Sequence, residues 1–223
     1  MDKDTLNKTS NIDTLSYNLR ELKFFFFAKR LIDIIAVVLG LLIFSWLFLI
    51  IPILIKLENP KGPVFFKQKR VGKDGNPFYL YKFRSMVPGA EGKLDQLLKY
   101  NEVSGAMFKI KEDPRLTKVG KFIRRRSIDE LPQILNVLKG EMSIVGPRPA
   151  LPREVKEYSD HDKQRLLVTP GCTGLWQVSG RSTLSFEEMV NLDLSYIKNM
   201  SICLDIKIIL KTFLLLFGSK SAF

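Results

Sequence analysis

Asp129 and Glu130 stand side by side within residues 122–140, FIRRRSIDELPQILNVLKG, immediately after Arg124, Arg125 and Arg126. Two readings compete. One is helix punctuation. Ser127 and Glu130 fit a Ser-x-x-Glu capping box, and Pro132 suits a first helical turn. Acidic residues there also complement the helix dipole by a few tenths to about 1 kcal/mol. The other reading starts from what a cap does not need. A cap uses one carboxylate, and this stretch has two beside three arginines. An aspartate can be a covalent nucleophile toward phosphorus. A neighbouring carboxylate can hold Mg²⁺, a hard cation that often binds through one or two carboxylates plus substrate phosphates. Arginines clamp phosphate oxygens bidentately.

More anion-seeking residues sit where the backbone is restricted. Lys82 and Arg84 lie in YKFRSM, Arg148 in GPRP between two prolines, and Arg181 at the end of PGCTGLWQVSGR. Glycines there let backbone N–H groups approach an anion. Each of these is more often a plain surface charge, and Trp176 more often a core residue than a stacking platform. Their number turns the balance toward a phosphate-rich site. His161 is the sole histidine and sits in the polar run EYSDHDKQR, which argues against histidine metal sites and Ser-His triads. Cys172 and Cys203 are far apart and match no metal-ligand spacing or disulfide framework.

The elements that must carry these residues form a chain of 223 residues, 46% hydrophobic and 26% charged, with net charge +12. Its mean hydropathy is slightly positive despite the many lysines and arginines, which implies a local apolar segment. The charge favours anionic partners. Nucleic acid fits that electrostatically, but no helix-turn-helix, zinc finger or RNA-binding signature is present.

Residues 1–23 read as a polar lead, and residues 24–57 as the apolar segment, uncharged between residues 34 and 55. Lys23, Lys29 and Arg30 precede it, and Lys56, Lys61, Lys67, Lys69 and Arg70 follow it. Positive charge marks the cytoplasmic side, so both ends ask to be cytoplasmic. A re-entrant helix satisfies both, with Pro52 as the helix breaker and Ser45 serving freed carbonyls. A tilted, proline-kinked single span is the alternative.

Residues 58–223 read as α+β and predominantly helical. A hairpin is expected around the turn 72–77, and helices in GAEGKLDQLLKYNE, DPRLTKVGKFIRRR and SIDELPQILNVLKG, the last ending at Gly140. EMSIVGPRPALP gives a short strand and a stiff loop, and TPGCTGLWQVSGRS a loop. SFEEMVNLDLSYIKN reads as an amphipathic helix with a Ser185–Glu188 capping box. The C-terminal run SICLDIKIILKTFLLLFG suits either an interfacial helix or a core helix.

GPVFFKQKRVGKDGNPFYLYKFRSM, DPRLTKVGKFIRRRSIDELPQILNVLKGEMSIVGPRP and PGCTGLWQVSGR together resemble the bacterial sugar transferases, the monotopic polyprenol-phosphate phosphoglycosyl transferases. The resemblance covers about residues 28–217 and implies a small globular catalytic domain with a re-entrant membrane helix and interfacial amphipathic helices. It implies transfer of a sugar-1-phosphate from a UDP-sugar to undecaprenyl phosphate, releasing UMP, as the first membrane step of capsule, exopolysaccharide or glycoconjugate assembly. The mechanism implied is ping-pong through a phosphosugar-aspartate, with Asp129 as nucleophile, Glu130 as Mg²⁺ ligand, and Lys82, Arg124, Arg148 and Arg181 on the substrates. Expected partners are the UDP-sugar, undecaprenyl phosphate and membrane phospholipid, not nucleic acid. A homodimer and downstream glycosyltransferases are further candidates. The expected location is the bacterial inner (cytoplasmic) membrane, catalytic domain toward the cytoplasm. A non-catalytic membrane-anchored scaffold on the same fold is the alternative. One departure stands out: the family breaks its membrane segment with a Ser-Pro pair, and here Ser45-Trp46 occupies that place, with Pro52 six residues on.

Overall fold

The computed structural model describes residues 22–97, 110, 113–180 and 184–218. Helix α1 (Lys23–Phe44) is amphipathic in reverse. Its buried stripe is Lys29, Asp33 and Val37, while Leu31, Ile35, Leu39 and Leu42 are exposed. The buried polar groups are satisfied: Lys29 Nζ lies 2.6 Å from Asp205, and Asp33 accepts the Ile144 N–H at 3.0 Å. Such a helix suits an apolar solvent outside and a protein partner within.

At Ser45–Trp46 the chain bends by 59° into α2 (Leu47–Glu58). Pro52 lies inside α2 and is not the breaker. The expectation that it breaks the segment is corrected, and packing explains why. Leu47, Ile51 and Ile55 of α2 bury against Phe83 and Ile123, whereas Val37 of α1 joins Phe78, Leu80, Val137 and Met142. A straight helix could not serve both clusters. Ser45 eases the bend, its Oγ donating to the Leu42 carbonyl at 3.4 Å and its carbonyl accepting the Phe48 N–H at 3.0 Å. Among the described residues no single helix is long and apolar enough to cross a membrane, but the bent pair together is.

Strands β1 (Phe65–Val71) and β2 (Pro77–Phe83) form the expected antiparallel hairpin, with Phe66 opposite Lys82 and Arg70 opposite Phe78. Cross-strand partners share a face, so Gln68, Arg70, Leu80 and Lys82 all point to one side. The basic helix α3 (Lys118–Arg125) is capped by the Thr117 side chain on the Gly120 N–H. A Cβ on Gly120 would come within 1.8 Å of the Ser85 carbonyl oxygen, so only glycine lets α3 approach the hairpin's exit.

The stretch expected as one helix divides: a 3₁₀ segment covers Ile128–Gln133, and α4 (Ile134–Lys139) follows, stopped by Gly140 at φ 80°. Asn136 of α4 accepts the Tyr81 N–H (3.1 Å) and donates to the Tyr79 carbonyl (2.7 Å), which pins the 3₁₀ segment and α4 to the free edge of β2. Strand β3 (Ser143–Val145) pairs in parallel with β4 (Gly171–Thr173), in a stretch whose sequence reads as a loop. Short helices α5 (Pro152–Lys156) and α6 (Asp160–Lys163) lie between them.

Helix α7 (Phe186–Lys198) has the expected Ser185–Glu188 capping box and buries Val190, Leu194, Tyr196 and Ile197 in the largest cluster. Each such side chain contributes roughly 1.5–3 kcal/mol. Helix α8 (Ile202–Gly218), where either an interfacial or a core helix was expected, has one face in the core and an apolar face left exposed. Asp205 and Ile208 are buried, while Ile206, Leu210, Phe213 and Leu214 are exposed. The helix expected in GAEGKLDQLLKYNE is described only as a 3₁₀ turn and Leu94–Leu97, and the remainder lies outside the described residues.

Candidate active site

Ser127 decides how the carboxylates are presented. It follows the last turn of α3, its N–H bonding the Arg124 carbonyl at 3.0 Å, and takes φ 54°. That left-handed conformation is costly for a residue with a Cβ. It reverses the chain so that Asp129 and Glu130 come back beside the helix carrying Arg124. In this conformation the Ser127 side chain makes no capping bond. The capping box expected between Ser127 and Glu130 does not form: the Ser127 N–H is spent on Arg124 and the Ser127 φ is not that of an N-cap, while Lys82 Nζ sits 2.5 Å from the Glu130 carboxylate.

Asp129 is 5% exposed. Burial pushes its carboxyl up to about 6; Glu130 adds to this, while Lys82 and Arg124 pull against it. Burial also acts upward on Glu130, but Lys82, then Arg148 and Arg70, outweigh it and hold Glu130 below the ordinary glutamate range. The two adjacent carboxylates are therefore pushed apart, one raised and one lowered. Such separation gives neighbouring acids different jobs.

Lys82, from the inner face of β2, thus contacts Glu130, and Arg124, from the last turn of α3, lies near enough to pull on Asp129. Arg148, from the loop after β3, acts on Glu130 and is held by Glu154, 3.3 Å away. Arg181 lies outside the described residues. Arg84 is absorbed structurally, donating to the Pro63 carbonyl at 3.0 Å over the Phe66 ring. Arg125 and Arg126 are exposed, and Arg126 lies over the Phe122 ring. Trp176 is buried and His161 is exposed. Cys172, beside the site on β4, is a free thiol kept protonated by burial, with Glu130 adding to the upward push.

Sequence reading missed Arg70. It appeared there only as one more flanking charge, yet it is 7% exposed and close enough to Glu130 and Arg148 to be felt by both. Strand alternation was the signal, since residues 66, 68 and 70 share a face with Lys82.

A buried aspartate beside a glutamate paired with a lysine, with arginines close by, is a site suited to anionic ligands, and comparison with known proteins gives it a family. The bacterial sugar transferase family matches residues 24–219, and the chain belongs to that family. It is 48% identical over 200 residues to the galactosyl transferase CpsE of Streptococcus agalactiae, covering 89% of this chain and 44% of that protein. It is 44% identical to the undecaprenyl-phosphate galactose phosphotransferase of Salmonella typhimurium, covering 83% of this chain and 40% of that one. It is 41% identical to the exopolysaccharide production protein ExoY of Rhizobium meliloti, covering 83% of both chains. The chain thus spans less than half the length of the first two relatives and most of the third.

Proposed function

We propose that this chain transfers a sugar-1-phosphate from a UDP-sugar to undecaprenyl phosphate and so starts assembly of a surface polysaccharide or glycoconjugate. The observation that carries the proposal is the split carboxylate pair: Asp129, buried and raised, beside Glu130, lowered by Lys82. Two of the similar proteins carry galactose in their names, which makes UDP-galactose the first donor to try.

The steps balance as two displacements at one phosphorus. An Asp129 carboxylate oxygen attacks the phosphorus that bears the sugar. The bond from that phosphorus to the bridging oxygen breaks, and UMP leaves with the electron pair. A phosphate oxygen of undecaprenyl phosphate then attacks the same phosphorus and expels Asp129 as free carboxylate. The product is undecaprenyl-diphospho-sugar. A carboxyl near 6 is ionised at neutral pH, as a nucleophile must be. Lys82, Arg124 and Arg148 offset the charge of anionic substrates approaching an anionic nucleophile.

Magnesium fits the donors present. Two adjacent carboxylates supply hard oxygens, and among the described residues no cluster of three or more metal-ligating side chains competes with them. Mg²⁺ commonly binds through one or two carboxylates, with phosphates and water completing its shell. Glu130 is the residue that would hold it, sharing its carboxylate with Lys82. When bound, the ion would supply further neutralisation of phosphate charge.

The lipid acceptor explains the inverted α1 and the exposed apolar faces of α2 and α8. We place the bent pair in the inner membrane as a re-entrant element, with the carboxylate site at the cytoplasmic interface. The deciding experiment supplies UDP-galactose to the full chain in detergent, with Mg²⁺ and without acceptor. About one equivalent of UMP, together with a hexose-phosphate mass increment on the Asp129 peptide, supports the reading. No UMP with any common UDP-hexose, with or without undecaprenyl phosphate, overturns it and favours a scaffold.

A further inference from the structure

We infer that Arg70 is a substrate-phosphate residue: with Arg148 it forms a two-guanidinium clamp on the diphosphate of the nucleotide-sugar donor, and Glu154 is the positioning residue that aims Arg148. This rests on the donor proposed above and adds two residues to its site.

Arg70, next to last in β1, lies on the hairpin's inner face. Its Nη1 donates to the Pro149 carbonyl at 2.8 Å and its Nη2 to Gln68 Oε1 at 2.6 Å. Both partners are neutral, and Arg70 makes no ion pair among the described residues. Its Nε is buried and has no hydrogen-bond partner there. A buried guanidinium with an unmet donor and no contacting carboxylate is costly unless an anion completes it. Burial, and then the like charge of Arg148, lower its pKa to about 10, so the two guanidiniums feel each other. A diphosphate offers two groups for two such forks.

The loop carrying Arg148 is fixed to β1. Arg70 holds Pro149, the next residue, and the Val71 N–H bonds the Ala150 carbonyl at 2.9 Å. Glu154 is 1% exposed and spends Oε2 on the Leu151 N–H at 2.7 Å, so it cannot drift. Arg148 meets it only loosely, at 3.3 and 3.4 Å, and keeps 28% of its side chain accessible. Such contacts aim a side chain without saturating it.

The test uses the full chain in detergent, with Arg70→Met, Arg70→Lys and Glu154→Gln. Binding of UDP and of uridine is measured, as are the KM values for UDP-galactose and undecaprenyl phosphate. Arg70→Met is expected to weaken UDP about tenfold or more and to leave uridine within about twofold, because only phosphate contacts are lost. Arg70→Lys keeps the charge without the fork and should fall between. Glu154→Gln should raise the donor KM several-fold, leaving kcat and the acceptor KM nearly unchanged. Equal losses for UDP and uridine, no loss for either, or a rise in the acceptor KM instead would each overturn the clamp. If Arg70→Met fails to fold, Arg70→Lys decides by the same UDP-to-uridine comparison. A wild type that binds UDP through Arg70 yet releases no UMP refutes the proposed reaction and leaves the clamp standing. One that releases UMP with UDP affinity indifferent to Arg70 does the reverse.

Discussion

Replacing Asp129 by Asn should abolish turnover and stabilise the protein, and the two effects have one cause. The Asp129 carboxyl is raised from 3.8 to about 6, chiefly by burial. Keeping it ionised at neutral pH therefore costs the folded state about 3 kcal/mol relative to a neutral side chain. Because its pKa is raised on folding, the folded state binds more protons than the unfolded one between pH 3.8 and about 6. Stability must fall as pH rises through that window, and no further above it. Asn mimics the neutral form and removes this dependence.

Thermal unfolding in detergent, from pH 4 to 8, reads the difference directly. The Asp129→Asn midpoint should match wild type near pH 4, rise above it through the window, and level off. At the plateau the gain should be about 6–12 °C, from ~2–4 °C per kcal/mol for a chain of this size. UMP release should fall by about 10⁴-fold or more, as expected when a nucleophile is removed. Retained turnover would refute the covalent role. A midpoint equal to or below wild type at pH 7.5, with the same pH dependence, would refute the electrostatic account of the site.

Three other outcomes follow from the same geometry. Lys82→Met removes the strongest downward influence on both carboxylates, so both titrate higher; the acid limb of the pH profile for UMP release should move up, costing more activity at pH 6 than at pH 8. Arg165 holds the fully buried Asp193 at 2.5 and 2.9 Å and donates to the Tyr158 hydroxyl; Arg165→Ala should destabilise by about 3–5 kcal/mol in denaturant unfolding, and an apolar Arg165→Met, Asp193→Leu pair should recover most of that. Single cysteines placed at Lys23 and Lys61, with Cys172 and Cys203 replaced, should both react with an impermeant maleimide only from the cytoplasmic side; labelling from opposite sides would show a single span in place of the re-entrant pair.

The hairpin, the basic helix, the capped α7 and the helix stop at Gly140 were legible because each rests on local chemistry: alternation, a side-chain cap, a glycine at positive φ. The bend was expected, but proline chemistry put it at Pro52 although the resemblance marks Ser45–Trp46, and β4 was not legible; each answers a distant demand. The break falls at Ser45–Trp46, without proline, since α1 and α2 must reach different clusters. Strand β4 is three residues long, and its parallel pairing requires Gly171 so close to Gly146 that a Cβ would lie 2.1 Å from the Gly146 nitrogen. Only the two glycines hint at that approach.

The site residues divide in the same way. Asp129, Glu130, Lys82, Arg124 and Arg148 were singled out as candidates by residue type and resemblance, and the structure brings those five together. Arg70 was not, because its charge looked like a flank until the register placed it on the face of Lys82. The capping box is the more instructive failure. Ser127 and Glu130 satisfy the motif, but Ser127 is left-handed with its N–H on the Arg124 carbonyl, and Glu130 receives Lys82. The chain gives up a cap worth about 1 kcal/mol and accepts a left-handed serine, two local costs at one place. Local rules broken together at one place are the pattern expected of a functional site, which agrees with the role proposed for Glu130.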